Sequence, residues 1–179
     1  MKYWLFFLTI LVTSPVFAAC KIDQQQFGAS SQTIKSKLEF FTTFEPIPGF
    51  QKEVLTIFEE VCPSLEKTLA RDTTLTYHFI KDQLVTIELV RSDSNDLLLF
   101  EWGREHFDIK EGRKINELQQ FIQVEQNDRF IQLFVGVLPD IVFQTVALVS
   151  SQHKDLFDQL GEKEDSIDWE TFEYPEEEN

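Results

Sequence analysis

The chain has only two cysteines, Cys20 and Cys62, and they are the residues most suited to covalent chemistry. In an oxidising compartment, an even number of cysteines favours a disulfide. A bridge between these two would close a loop of roughly 43 residues and stabilise the fold by about 4 kcal/mol through the entropy of the unfolded chain. The sequence therefore predicts a disulfide, provided that the protein is exported.

The residues around Cys20 allow a second fate for its thiol. Residues 17–20 (Phe-Ala-Ala-Cys) resemble a bacterial lipobox, although Phe17 stands where lipoproteins usually have leucine. The resemblance implies cleavage before Cys20 and lipidation of its thiol, which would anchor the protein to a membrane. Lipidation would leave Cys62 unpaired, so the even cysteine count favours the disulfide.

The three histidines are His78, His106 and His153, and only His106 has several acids close to it in sequence: Glu101, Glu105 and Asp108. Metal or acid–base chemistry would need these groups to converge. On a strand, the adjacent Glu105 and His106 would point to opposite faces. The other two histidines are interpreted as structural. Hydrolase, zinc-protease and phosphate-loop motifs are lacking, so we predict no catalytic residue, no metal site and no cofactor.

Apolar periodicity predicts the elements that position these residues. Spacings of three and four predict helices over 33–41, 51–70 and 139–160, the last capped by Gly161, with a further short helix over 113–120. Alternation predicts strands over 75–79, 85–89, 98–102, 121–125 and 129–137. The expected fold is α+β: an antiparallel sheet of about five strands, a three-strand meander plus a hairpin, with helices packed on one face.

Changes in composition divide the chain into four parts. Lys2, an apolar run over 3–12, Pro15 and small residues at 18–19 are typical of a secretory signal peptide over 1–18. The run is too short for a comfortable membrane span. Polar residues over 19–32 predict an N-terminal linker, 33–161 a single domain, and 162–179 an acidic tail. The expected location is the periplasm, or the outer membrane if Cys20 is lipidated.

The charge of the chain restricts its partners. The net charge is −15, which disfavours nucleic acid and anionic lipid and favours a cationic protein. The 18 phenylalanines either fill an aromatic core or provide several exposed side chains for docking.

The acidic tail contains aromatic residues that a purely solubilising segment would not need. We interpret one stretch of it as a candidate partner-binding segment, with acids that attract and rings that anchor. The alternative is that the rings pack on the protein's own helices. The candidate residues are Asp168, Trp169, Glu170, Phe172, Glu173 and Tyr174.

Three functions remain open on this basis. The first is an exported acidic binding protein, of the inhibitor or immunity type, that neutralises a cationic envelope enzyme or toxin; its composition is similar to that of such proteins. The second is a chaperone-like or structural envelope lipoprotein anchored through Cys20. The third is an enzyme with a site near His106. The sequence favours the first.

Overall fold

One antiparallel sheet organises the chain. The computed structural model describes residues 20–38, 42–63, 67–92, 96–110, 119–138 and 141–167. Seven strands pair in the order β1-β2-β3-β4-β7-β6-β5, and every neighbouring pair is antiparallel. The α+β class and the antiparallel sheet are therefore confirmed, with seven strands where about five were expected.

Five helices accompany the strands in the described residues. The strands are β1 Thr42–Ile47, β2 Gln51–Ile57, β3 Thr73–Ile80, β4 Gln83–Ser92, β5 Gln119–Gln126, β6 Arg129–Leu138 and β7 Ile141–Ser150. The helices are α1 Ser31–Lys35, α2 Phe58–Val61, α3 Lys67–Arg71, α4 Leu98–His106 and α5 Lys154–Asp165, with 3-10 turns at Lys21–Gln24 and Ser151–His153.

Two hairpins form where alternation predicts them, β3–β4 and β5–β6. Each is closed by two residues with positive φ: 49° and 59° at Lys81 and Asp82, and 50° and 62° at Asn127 and Asp128. Paired positive φ values define the type I′ turn, whose twist matches that of the flanking strands. Asp82 also accepts hydrogen bonds from the backbone N and Oγ of Ser31, at 3.0 and 2.6 Å, which fixes the start of α1 to this turn.

The helix predicted over 51–70 is wrong in its first third. Residues 51–57 form β2, which pairs with both β1 and β3. Within the rest of the predicted helix, the short helices α2 and α3 cover Phe58–Val61 and Lys67–Arg71. The apolar stripe at 54, 58 and 61 fits a helix. However, Val54, Thr56 and Ile57 are β-branched, and pairing on both sides outweighs a weak local preference.

The strand predicted over 98–102 is also wrong, since these residues begin helix α4. Leu99, Phe100 and Gly103 are buried, which is the three-to-four spacing of one helix face. Gly103 brings the helix against the sheet: a Cβ there would lie 2.8 Å from Val146 and 2.9 Å from Leu133. The apolar pair Leu98–Leu99 already breaks a strict alternation, and this is the signal that the strand prediction overlooked.

The long helix predicted over 139–160 is replaced by a strand and a helix. Residues 141–150 are β7, which lies between β4 and β6. A strand paired on both sides and covered on both faces has a continuous apolar run, which resembles a buried helix in sequence. Helix α5 then continues through Gly161 to Asp165 and ends at Ser166, so the predicted cap at Gly161 is wrong and the first acids of the tail are helical.

The core lies on one face of the sheet, under α1, α2, α3 and α4. One row of it crosses six strands in register through Val54, Tyr77, Ile87, Leu148, Ile131 and Val124. The predicted linker belongs to this core as well, because Ile22 is completely buried and residues 28 and 29 exchange backbone hydrogen bonds with Leu84. The described part of the predicted linker, residues 20–32, thus belongs to the folded domain.

Candidate functional site

The face of the sheet opposite the core is only partly covered, and we call it the open face. In an antiparallel sheet, residues directly opposite each other project to the same side. One row on the open face crosses all seven strands; it consists of Phe44, Glu53, His78, Thr86, Val149, Phe130 and Glu125. A parallel row contains Ile57, Thr74, Val90, Thr145, Phe134 and Phe121.

Large apolar side chains are exposed on this face. Four of them are strongly exposed in the described residues: Phe44 (42%), Ile57 (49%), Phe121 (59%) and Ile141 (46%). Strand register places all four on the open face. Apolar groups scattered over a surface are ordinary, but their restriction to one sheet face is typical of an interaction surface.

Helix α5 covers one end of the open face and leaves a cleft beneath it. The cleft has a volume of about 420 Å³. Phe157 and Leu160 line its helix side, and neither is fully buried. Lys81 Nζ, in the β3–β4 turn, donates a hydrogen bond to Gln159 Oε1 and fastens the helix there. The sheet side of this α5 cleft is lined by Gln51, His78, Ile80, Val85, Thr86, Glu88, Gln132, Ala147 and Val149.

Two residues of a charged triad, His78 and Glu88, line the α5 cleft, and the third, Glu53, lies behind them against His78. His78 Nδ1 lies 3.4 Å from Glu53 Oε1, and His78 Nε2 lies 3.0 Å from Glu88 Oε2. The exposed fractions of the three side chains are 18% for His78, 25% for Glu53 and 31% for Glu88. Strand register explains the arrangement, because Glu53 faces His78 directly and Glu88 faces the neighbouring Thr76.

The triad keeps His78 protonated at neutral pH. Burial alone would lower the pKa of His78, but hydrogen bonds and charge attraction from Glu53 and Glu88 outweigh burial and raise the pKa to about 9. A histidine with this pKa is a poor general base at pH 7. The triad therefore carries one positive and two negative charges, and its net negative charge suits binding better than proton transfer.

The predicted disulfide pair is brought together. Cys20 and Cys62 lie at disulfide distance, with Cα atoms 4.3 Å apart. Both are buried, with 7% of Cys20 and none of Cys62 exposed. The pair fastens the N-terminal segment to the end of α2, on the core side of the sheet and away from the α5 cleft.

The residues near His106 do not converge as a site. His106 ends α4 and stacks on Trp102, with ring centroids 4.7 Å apart, and meets Phe107 edge-on at the same distance. Glu105 lines a polar cavity of about 600 Å³ with Glu101 and Asp108, whereas His106 lines a different cavity of about 360 Å³, which it shares with Asp108 but not with the two glutamates. In the described ranges, no three His, Cys, Asp or Glu residues are placed to hold a metal ion.

Two of the other sequence predictions concern residues outside the described ranges. The signal peptide and the candidate tail residues from Asp168 to Tyr174 lie there. His153, which was interpreted as structural from the sequence, has its Nδ1 2.6 Å from Ser150 Oγ at the start of α5. The triad was not predicted, and His78 was interpreted as structural. The triad can be predicted only when β2 is recognised as a strand, because that strand places Glu53 opposite His78.

Comparison with known proteins does not place the chain in a family, since no family model, curated protein or solved structure matches it significantly. Among the described helices, none combines the length and apolar character needed to cross a membrane.

Proposed function

We propose that this protein is an exported, acidic binding protein that captures a cationic protein of the cell envelope, acting as an inhibitor or immunity-type protein. The observation that carries the proposal is the open face, where the strongly exposed apolar side chains of the described residues are gathered. A surface of this kind supplies the apolar contacts that an interface needs.

Charge supports a cationic partner. The chain carries −15, and α5, which borders the open face, contributes five acids against two lysines. The triad adds a net negative charge in the α5 cleft. Fields of this sign speed the encounter with a basic protein and disfavour acidic ones.

The position of Cys20 supports a soluble protein in the periplasm. Its side chain is buried beside Cys62, and a lipid on this thiol would have to break that packing. This favours the disulfide-linked form over an outer-membrane lipoprotein. It thereby weakens the alternative of a chaperone-like or structural envelope protein anchored through Cys20. The separation of His106 from Glu105 weakens the other alternative, an enzyme with a site near His106.

The test is capture of the partner followed by reconstitution. Immobilised mature protein (residues 19–179) is incubated with bacterial envelope extract at low and moderate salt. A matched control resin carries an unrelated acidic protein of equal charge and excludes simple ion exchange. We expect one basic protein, bound in stoichiometric amount, whose activity falls in a one-to-one titration. Recovery of no basic protein at either salt concentration would contradict the proposal, and several unrelated clients would indicate a chaperone.

A further inference from the structure

The α5 cleft combines an apolar lining with a charged wall, and this combination determines what it can hold. Its apolar residues come from both sides, with Val85 and Val149 on the sheet and Phe157 and Leu160 on the helix. Its charged residues are His78 and Glu88, and its neutral polar residues are Gln51, Thr86 and Gln132. A volume of about 420 Å³ is within the range of small-ligand pockets and exceeds a single side chain.

The hydrogen bonds of the triad indicate the sign of the occupant. Each ring nitrogen of His78 already faces a carboxylate, Nδ1 to Glu53 and Nε2 to Glu88. The histidine therefore has no N–H left to donate to an anion. A carboxylate has about four lone-pair sites, so both glutamates keep acceptors for a further donor. The wall of the cleft favours a cation over an anion or a neutral acceptor.

Two occupants from this chain are disfavoured by charge. A second copy would bring another −15 to the interface. The end of the chain, residues 168–179, follows α5 closely and contains aromatic rings. However, it carries six carboxylates and no basic residue, which would oppose the charge of the triad.

We propose that the α5 cleft is where the cationic partner docks, and that it receives a basic side chain flanked by apolar ones. The aliphatic stem and the apolar neighbours lie against Val149, Phe157 and Leu160, and the charged end bonds to Glu88, the carboxylate that lines the cleft. Lysine and arginine suit this position, because both combine an apolar stem with a charged end. The inference rests on the proposed function and locates its binding site.

The probe is a short synthetic peptide of alternating leucine and lysine. A lysine–serine peptide of equal charge and a leucine–glutamate peptide serve as controls. The mature protein is titrated at about 150 mM salt, and Kd is measured by calorimetry. Amide NMR shifts locate the site. We expect the leucine–lysine peptide to bind most tightly and to shift residues of the cleft.

The variants compare the cleft with the rest of the open face. Phe157→Ala and Glu88→Gln should each weaken peptide binding about tenfold, the effect of losing one central contact. Phe121→Ala removes an equal side chain from a part of the open face that would meet the whole partner but lies outside the cleft occupied by the short peptide, and it should change the Kd of the peptide less than about twofold. Circular dichroism checks that each variant is folded, and Leu160→Ala replaces Phe157→Ala if that variant is not.

Several results would overturn the docking site. Equal weakening by Phe121→Ala would place binding elsewhere on the face. Equal affinity of the lysine–serine peptide would mean nonspecific charge attraction. Tighter binding after deletion of residues 168–179 would identify the tail as the occupant. If a basic envelope protein is captured but the peptide does not compete with it, the docking site is wrong and the proposed function stands. If nothing basic is captured, the function itself fails.

Discussion

Substitution His78→Gln should change how the stability of the protein depends on pH. Glutamine is similar in size and can donate one hydrogen bond, but it does not titrate in this range. The pKa of His78 is raised from 6.5 to about 9 by Glu53 and Glu88, and 1.36 kcal/mol corresponds to each pKa unit. At low pH, the protonated histidine should therefore contribute about 3 kcal/mol to the free energy of unfolding.

The direction of the effect follows from the raised pKa. A group whose pKa is higher in the folded state stabilises the protein fully below its unfolded pKa, and the stabilisation disappears as the pH rises through the folded value. For His78 the loss begins above pH 6.5 and is largely complete just above pH 9. The wild type should therefore lose about 3 kcal/mol more stability across this range than His78→Gln does.

Urea denaturation of both proteins from pH 6 to 9.5 measures this difference, and subtraction removes the groups that titrate in both. The NMR titration of the His78 ring gives its pKa directly. Glu53→Gln provides an intermediate case, because one carboxylate remains, and it should lower the pKa of His78 without abolishing the effect. A ring pKa near 6.5, or parallel stability profiles for wild type and His78→Gln, would refute the account of the triad.

Three further predictions follow from individual contacts. Gly103→Ala should lower the free energy of unfolding by about 1–3 kcal/mol, because the added Cβ would lie within 2.9 Å of the sheet side chains. Gly161→Ala, in open space within α5, should instead raise the free energy of unfolding by about 0.5–1 kcal/mol. Urea denaturation measures both changes, and effects of the same sign would contradict the packing of α4. Cys62→Ala should lower the free energy of unfolding by up to about 4 kcal/mol, and reduction of the wild type should lower it by a similar amount. An unchanged thermal midpoint in both cases would mean that the bridge does not form. Asp82→Asn should lower the free energy of unfolding by about 1 kcal/mol at neutral pH, since hydrogen bonds from Ser31 hold the pKa of Asp82 below its ordinary value. This contribution is present above pH 4 and is lost as the pH falls further. In acid denaturation, the stabilities of wild type and variant should therefore converge.

Alternation of apolar and polar residues predicted β3, β4, β5 and β6, because each carries a clear period of two next to a short polar turn. It failed for β2 and β7, whose status depends on partners distant in sequence. β7 is covered on both faces, and its apolar run does not distinguish a strand from a buried helix. Helix α4 was missed because a few alternating positions outweighed the buried spacing of Leu99, Phe100 and Gly103.

The candidate site depended on the same distant pairings. Glu53, His78 and Glu88 belong to three strands, and only their register brings the charges within 3.0–3.4 Å. With β2 interpreted as a helix, Glu53 had no reason to approach His78. The cysteines were easier to predict, because their number alone indicates a pair, whatever the fold between them.

The position of β7 in the sheet also determines when the protein can fold. It is the last strand along the described part of the chain, yet it lies between β4 and β6 and joins the meander of β1 to β4 to the hairpin of β5 and β6. Until residues 143–149 are available to pair with 86–92, the facing edges of β4 and β6 lack this partner. Folding must then wait for almost the whole chain, and such distant pairing is slow. If the chain is exported unfolded, as we propose, this delay would keep it competent for translocation. Truncation before β7 would leave two exposed edges prone to aggregation.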